Sequence, residues 1–465
     1  MTETAELKNL IKSILLEYQD PTQSEETQQK TYGIFDTVDE AISAAKAAQL
    51  EFETCSLAIR KEVIEALRTE LYPFVAEYAR ETVEQTGMGR VEDKIIKNKL
   101  ALDKTPGVED LRTEAETGDN GMTLYELSPY GVIGAILPST NPVATLLNNG
   151  IGMLAAGNGV YFSVHPGAKN VSLKLIKHMN KIIEKVVGIS NLFTTIAKPS
   201  NDAVNEMMQH KDVAILVITG GPGIVRMGLT SGKKTIGAGA GNPPALVDET
   251  ANVDKAATDI YEGASFDNGI LCTAEKGVIA VQNIERQLVD GLIREGAYLI
   301  TSEKDIQALV DATIIDNHPN KELIGKNAKV ILESAGIQVT GDPKLIILRA
   351  SIDHPFVIKE MLMPILPVVS ARDFKQAKEY ALEMEQNLHH TAVMHSNNIG
   401  RMNEVARAMK TSIFVKNGSS FAGLGINGEG PTTFTIATPT GEGTTTARHF
   451  TRRRRCVLTD GFSLK

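Results

Sequence analysis

The chain predicts an α/β fold built on doubly wound parallel sheets, and three observations predict it. Short, nearly continuous apolar runs recur along it: Gly131 to Leu137, Val160 to Val164 and Val213 to Ile218. None alternates polar with apolar, as a strand with one wet face would, so each fits a parallel strand covered on both sides. Helical stretches such as Val171 to Val187 separate them, giving the βαβ pattern of a parallel sheet. At 465 residues the chain exceeds one small core, so two or three domains are expected.

From the N-terminus, Leu7, Leu10, Ile11, Ile14 and Leu15 recur at helical spacing, with Glu3, Glu6, Lys8, Lys12 and Glu17 around them. This is one narrow apolar stripe on a helix over 1–18. The next segment, 19–33, is a linker: Gln19 to Lys30 contains no apolar residue except Pro21. A tethered helix of this kind suits docking onto a partner, or packing on its own domain. Next, Asp36-Thr37-Val38-Asp39-Glu40 caps an alanine-rich helix, and Leu57 to Gly87 supplies more amphipathic helix. A second series of strand-like runs starts at Gly277 and continues through Lys344 to Leu348, Pro367 to Val369 and Ile413 to Val415. That makes a second α/β domain.

Composition narrows the function. Hydrophobic residues make up 42% and charged residues 23%, and the net charge of −9 argues against a nucleic-acid surface, despite the basic run Arg452 to Arg455. No apolar run reaches the ~18 residues of a membrane span. The three cysteines, Cys55, Cys272 and Cys456, are too dispersed for a disulfide framework or a zinc site. With no secretory signal evident, the cytoplasm is the expected compartment. His389, His390 and His395 cluster without helical metal spacing, so no metal is expected.

Several positions carry chemistry. Cys272 follows the turn Asp267-Asn268-Gly269 and shortly precedes the run Gly277 to Val281. A thiol there fits a nucleophile or a core filler. Val213 to Ile218 runs into Thr219-Gly220-Gly221-Pro222-Gly223, which fits either an anion-binding helix start or a tight turn needing positive φ. The strict GxGxxG fingerprint fails, because the sixth position from Gly221 is Arg226. Asn141, ahead of Pro142, fits an oxyanion donor or a turn former.

Eight segments, in order over almost the whole chain, make the resemblance specific: Glu84-Gln-Thr-Gly-Met-Gly-Arg90, Pro138-Ser-Thr-Asn-Pro142, Leu154-Ala-Ala-Gly-Asn158, Ile218-Thr-Gly-Gly221, Gly237-Ala-Gly-Ala-Gly-Asn-Pro-Pro244, Phe266-Asp-Asn-Gly269 with Cys272, Glu360-Met-Leu-Met-Pro364 and Thr438-Pro-Thr-Gly-Glu-Gly443. The chain resembles the CoA-acylating branch of the aldehyde dehydrogenase superfamily, which includes the propionaldehyde and acetaldehyde enzymes of bacterial microcompartments. The resemblance implies a Rossmann-type cofactor domain (34–108 and 131–242), an α/β catalytic domain (243–430) and a small oligomerisation arm (109–130 and 431–465) that makes a dimer or tetramer. It implies that Cys272 attacks the aldehyde and that Asn141, with the Cys272 backbone N–H, holds the oxyanion. Glu360 resembles the glutamate that touches the nicotinamide ribose of NAD, and Thr219, Gly220 and Gly221 would approach the pyrophosphate. By the same resemblance Ser163 and His165, in Ser-Val-His-Pro166, are further candidate cofactor contacts.

Two departures from the hydrolytic branch point to CoA. Gly237 stands where those enzymes carry a glutamate base, so water attacks the acyl-cysteine poorly and a thiol, coenzyme A, completes the reaction. The Ser-x-His-Pro form replaces a lysine usual in that branch. The expected substrate is propionaldehyde, as in propanediol degradation, on further likeness in Thr105-Pro-Gly-Val-Glu-Asp110, Gly221-Pro-Gly-Ile-Val225 and Cys456-Val-Leu-Thr-Asp-Gly-Phe462. The alternative is the acetylating acetaldehyde enzyme of ethanolamine utilisation. The N-terminal helix is then expected to bind a microcompartment shell protein and place the enzyme in the lumen, with neither nucleic acid nor membrane as partner.

Overall fold

A computed structural model describes residues 31–462; the N-terminal stripe and most of the linker lie outside the described residues. Folding from Ile34 onward begins where local chemistry says it should. Thr37 caps the helix Val38–Phe52 by accepting the Glu40 N–H at 3.3 Å, while the Glu40 carboxylate accepts the Thr37 N–H at 3.2 Å. The helix Val75–Thr86 stops at Gly87, which adopts a left-handed conformation.

Six parallel strands form the first sheet. Across it lie Ile34–Phe35, Phe193–Ile196, Gly159–Ser163, Val132–Ile136, Val213–Thr219 and Lys234–Ala238. Val132–Ile136 and Gly159–Ser163 are buried throughout, which explains their continuous apolar character. The helix Lys169–Val187 lays Val171, Leu175, Ile176, Met179, Ile182 and Ile183 on the core. From Val132–Ile136 the chain first builds toward Gly159–Ser163, then returns to add Val213–Thr219 on the other side. This reversal opens a crevice beyond the carboxyl ends of the two adjacent strands.

The second sheet has seven parallel strands: Tyr298–Ile300, Ile346–Ala350, Ile365–Ala371, Gly277–Val281, Pro244–Val247, Thr391–His395 and Ile413–Lys416. Sequence reading missed Tyr298–Ile300, Pro244–Val247 and Thr391–His395, which are short and bordered by polar residues or prolines. A third, antiparallel sheet joins Glu114–Gly118 and Gly121–Pro129 to Thr451–Thr459. Its edge strand carries the arginine run: Arg453 stacks over the Tyr125 ring at 3.8 Å and pairs with Glu114 at 2.7 Å. Among the described residues no helix is long and apolar enough to cross a membrane.

Candidate active site

The crevice of the first sheet is a cavity of about 550 Å³. It gathers every site residue read from the sequence: Asn141, Ser163, His165, Thr219, Gly220, Gly221, Cys272 and Glu360 all line it. Cys272 reaches it from the segment ahead of Gly277–Val281, the central strand of the second sheet.

The turn before Cys272 is strained and heavily braced. Asp267, Asn268 and Gly269 have φ of 49°, 58° and 67°, three successive left-handed residues. Such a conformation costs of order 1–3 kcal/mol per non-glycine residue and persists only when its surroundings hold it. The Asp267 carboxylate accepts the Arg90 N–H at 2.7 Å, Lys94 Nζ at 3.1 Å and Lys97 Nζ. Asn268 Nδ2 donates to the Gly325 carbonyl and to Asn327 Oδ1, both at 2.8 Å. Buried Lys276 donates to the carbonyls of Gly269 at 2.5 Å and Leu271 at 2.9 Å. A Cβ at Gly269 would sit 2.7 Å from the Met363 carbonyl, so this position needs glycine twice over.

Electrostatics set the resting state of the thiol. Burial pushes Cys272 up to about 12, the nearby Glu360 charge adds to this, and Lys276 and Lys97 oppose it. Cys272 therefore rests as a thiol, although it remains partly exposed to the cleft. Among the described residues Glu360 is the only carboxylate lining the cavity. One of its oxygens accepts the Gly241 N–H at 3.3 Å, and burial pushes it up to about 7.

Asn141 precedes the helix Pro142–Ala155, and its side chain does not cap that helix. The proline keeps Asn141 out of the helical region (φ −136°, ψ 52°), so the amide is free for other work. Lys97 Nζ donates to its Oδ1, and its Nδ2 donates to Thr140 Oγ1 at 3.4 Å.

The glycine-rich turn decides between its two readings. Neither Gly220 nor Gly221 has positive φ, so the tight-turn explanation fails. A Cβ on Gly221 would meet nothing within 4 Å, which leaves open backbone at the start of helix Pro222–Thr230. Open space, a helix N-terminus and a flanking hydroxyl (Thr219, bonded to Thr435 Oγ1 at 2.7 Å) fit a dinucleotide pyrophosphate. His165 Nδ1 accepts the Gly167 N–H at 3.0 Å at the rim, and Ser163 ends its strand inside the cavity.

Gly237 lies within strand Lys234–Ala238, where a Cβ would press on Val225 Cγ1 at 2.8 Å. Sequence reading missed the buried groups behind the site. Lys94 and Lys97 occupy the buried stripe of helix Val91–Lys104, and that placement was their signal. The Glu275 carboxylate accepts the Ser420 N–H and bonds its hydroxyl, both at 2.7 Å. His390 packs where Gly241 meets the Cys272 carbonyl: a Cβ on Gly241 would be 2.8 Å from each. Burial pushes His390 down to about 4, and its buried Nε2 has no hydrogen-bond partner among the described residues. Among the described residues no group of three or more histidine, cysteine or acidic side chains is arranged to hold a metal.

The chain belongs to the aldehyde dehydrogenase family, whose sequence model matches residues 12–427. It is 54% identical over 463 residues to a propanal dehydrogenase (CoA-propanoylating) of Salmonella typhimurium, covering 99% of this chain and 100% of that protein. Among solved structures it is similar to Rhodopseudomonas palustris propionaldehyde dehydrogenase with bound CoA and an acylated cysteine (TM-score 0.90, 48% identity, 92% of this chain and 98% of that one). It is also similar to a propionaldehyde dehydrogenase from the Clostridium phytofermentans fucose utilisation bacterial microcompartment (TM-score 0.91, 44% identity, 93% and 100%).

Proposed function

We propose that this chain oxidises propionaldehyde to propionyl-CoA with NAD as electron acceptor. The observation that carries the proposal is one cleft holding Cys272, an amide donor at Asn141 and the Glu360 carboxylate, itself bonded to the Gly241 N–H. The Cys272 sulfur adds to the aldehyde carbon as its proton is lost, and the carbonyl π electrons move onto oxygen. Asn141 Nδ2 and the Cys272 N–H receive that oxyanion. NAD, when bound along Thr219 to Gly221, supplies the two-electron acceptor. Collapse of the tetrahedral adduct would expel the aldehyde hydrogen as hydride to that acceptor and leave a thioester on Cys272. The sulfur of CoA then attacks the acyl carbon, the C–S bond to Cys272 breaks, and the cysteine sulfur recovers a proton. Glu360, in the cleft and pushed up to about 7 by burial, is the group best matched to take the CoA thiol proton. Water competes badly, because it is far less acidic than a thiol and Gly237 stands where the hydrolytic branch carries its dedicated base, a group typically worth about 10²–10⁴-fold.

Steady-state assays with propanal and ethanal, with and without CoA, test this reading. Acyl-CoA formation that depends on CoA and favours propanal supports it; rapid release of free acid without CoA overturns it.

Address and assembly belong to the same proposal. Residues 1–18 carry the stripe of Leu7, Leu10, Ile11, Ile14 and Leu15 and dock on a microcompartment shell protein. Deleting them should leave specific activity unchanged and abolish co-purification with shells. The edge strand Thr451–Thr459 is exposed beyond its first residue, an arrangement proteins avoid unless the edge is covered, and it pairs with a second copy of the chain.

A further inference from the structure

Lys97 is among the largest fully buried side chains of the described residues and reaches both Asn141 at the cleft and Asp267 in the buried turn ahead of Cys272. Its ammonium donates to Asn141 Oδ1 and to Asp267 Oδ2. An ammonium is a donor only, so the amide oxygen of Asn141 must face it. The amide nitrogen is thereby turned away from Lys97, toward Thr140 Oγ1 and the cavity. Without Lys97, nothing among the described contacts distinguishes this orientation from its flip, which would present an oxygen to a developing oxyanion. A charged donor on the amide oxygen also polarises the amide and strengthens its N–H groups.

The second contact gives the arrangement its register. Asp267 is the first left-handed residue of the turn leading to Cys272, and burial opposes its charge while Lys97 and Lys94 hold it below the ordinary carboxylate range. Lys94, one helical turn away, donates to the Thr140 carbonyl at 3.1 Å as well as to Asp267. The helix Val91–Lys104 thus grips the segment bearing Asn141 and the turn bearing Cys272 together.

We propose that Lys97 is a positioning residue for the reaction: it fixes the polarity of the Asn141 amide and holds that donor in register with the Cys272 turn. The inference rests on the reading of Asn141 as the oxyanion donor. A double-mutant cycle with K97M and N141A tests it, reading kcat and KM for propanal. N141A should slow kcat by roughly 10²–10³-fold, the usual loss for one oxyanion donor. K97M should remove part of that, about 10- to 100-fold, with KM for propanal little changed. In the N141A background K97M should cost clearly less than it does in the wild type, because most of its effect passes through the amide already removed; what remains is its hold on the Asp267 turn and its charge near Cys272. K97Q, which keeps an N–H donor for Asn141 Oδ1, should recover most of the loss.

Losses that multiply in the double variant overturn the positioning role while leaving Asn141 as donor. A near-normal rate for N141A overturns the donor reading, and the role of Lys97 with it. Should K97M not fold, K97M/D267N removes both opposite charges together and carries the same cycle with the same criterion.

Discussion

Glu360 works against Cys272: after burial, its carboxylate is the largest influence holding the thiol protonated. The carboxyl itself is pushed up to about 7, so its charge develops only near neutrality. Below that pH Glu360 takes up a proton and stops opposing the thiolate. Glu360→Gln should therefore ionise Cys272 at lower pH and speed alkylation by iodoacetamide several-fold at pH 8. The wild-type pH–rate profile should bend near pH 7, and the variant's should not. Identical profiles would show that the two groups do not communicate.

Cys272→Ala should abolish acyl-CoA formation while leaving dinucleotide binding nearly intact. The thiol lies ahead of the central strand of the second sheet, whereas Thr219 to Gly221 follow a strand of the first. Equilibrium titration of the dinucleotide alongside turnover separates the two. Substantial turnover by the variant would remove Cys272 from the chemistry.

Gly237→Ala should raise KM for the dinucleotide several-fold with kcat little changed. A Cβ there meets Val225 Cγ1 at 2.8 Å, and Val225 belongs to the helix whose start faces the cleft. For the same reason Gly237→Glu should not convert the product to free acid unless Val225 is shortened too. Free acid from Gly237→Glu alone, measured without CoA, would contradict this account.

Glu275→Gln should flatten the pH dependence of stability. Burial pushes Glu275 up to about 7, above the ordinary carboxylate value of 4.5. The folded protein thus binds more protons than the unfolded chain between those limits. Stability from this group is full below the unfolded value and is lost as pH rises through about 7. A shift of this size corresponds to at most about 3 kcal/mol. Thermal melts at pH 5 and pH 8.5 should show the variant gaining relative to wild type only at the higher pH. An equal gain or loss at both pH values would rule the mechanism out.

Much of the site was legible because its markers are local. A strand running into Thr219-Gly220-Gly221, an asparagine ahead of Pro142 and a cysteine after Asp267-Asn268-Gly269 are each readable within a few residues. Their meeting in one cavity follows from the reversal between Val132–Ile136 and Val213–Thr219 together with an approach from the second sheet, which no short window contains. Lys94 and Lys97 were overlooked because lysine usually marks a solvated helix face; here they take buried positions, and their partner Asp267 lies 170 residues beyond Lys97. His390 was read within a histidine cluster, but its surroundings come from Gly241 and the Cys272 loop. The short strands Pro244–Val247 and Tyr298–Ile300 gave too little pattern to find.

The long reach between Lys97 and Asp267 also sets when a newly made chain becomes an enzyme. The first sheet can close as soon as strand Lys234–Ala238 has left the ribosome, while the Asp267 turn is still being delivered. Its left-handed residues are stable only once Arg90, Lys94, Lys97, Gly325 and Asn327 are all in place. Synthesis must therefore pass Asn327 before the cysteine turn can be fully set. Until then Lys97 can already orient the Asn141 amide, since both lie upstream, but the cysteine turn opposite it is not yet held, and aldehydes meeting the nascent chain find no assembled catalyst.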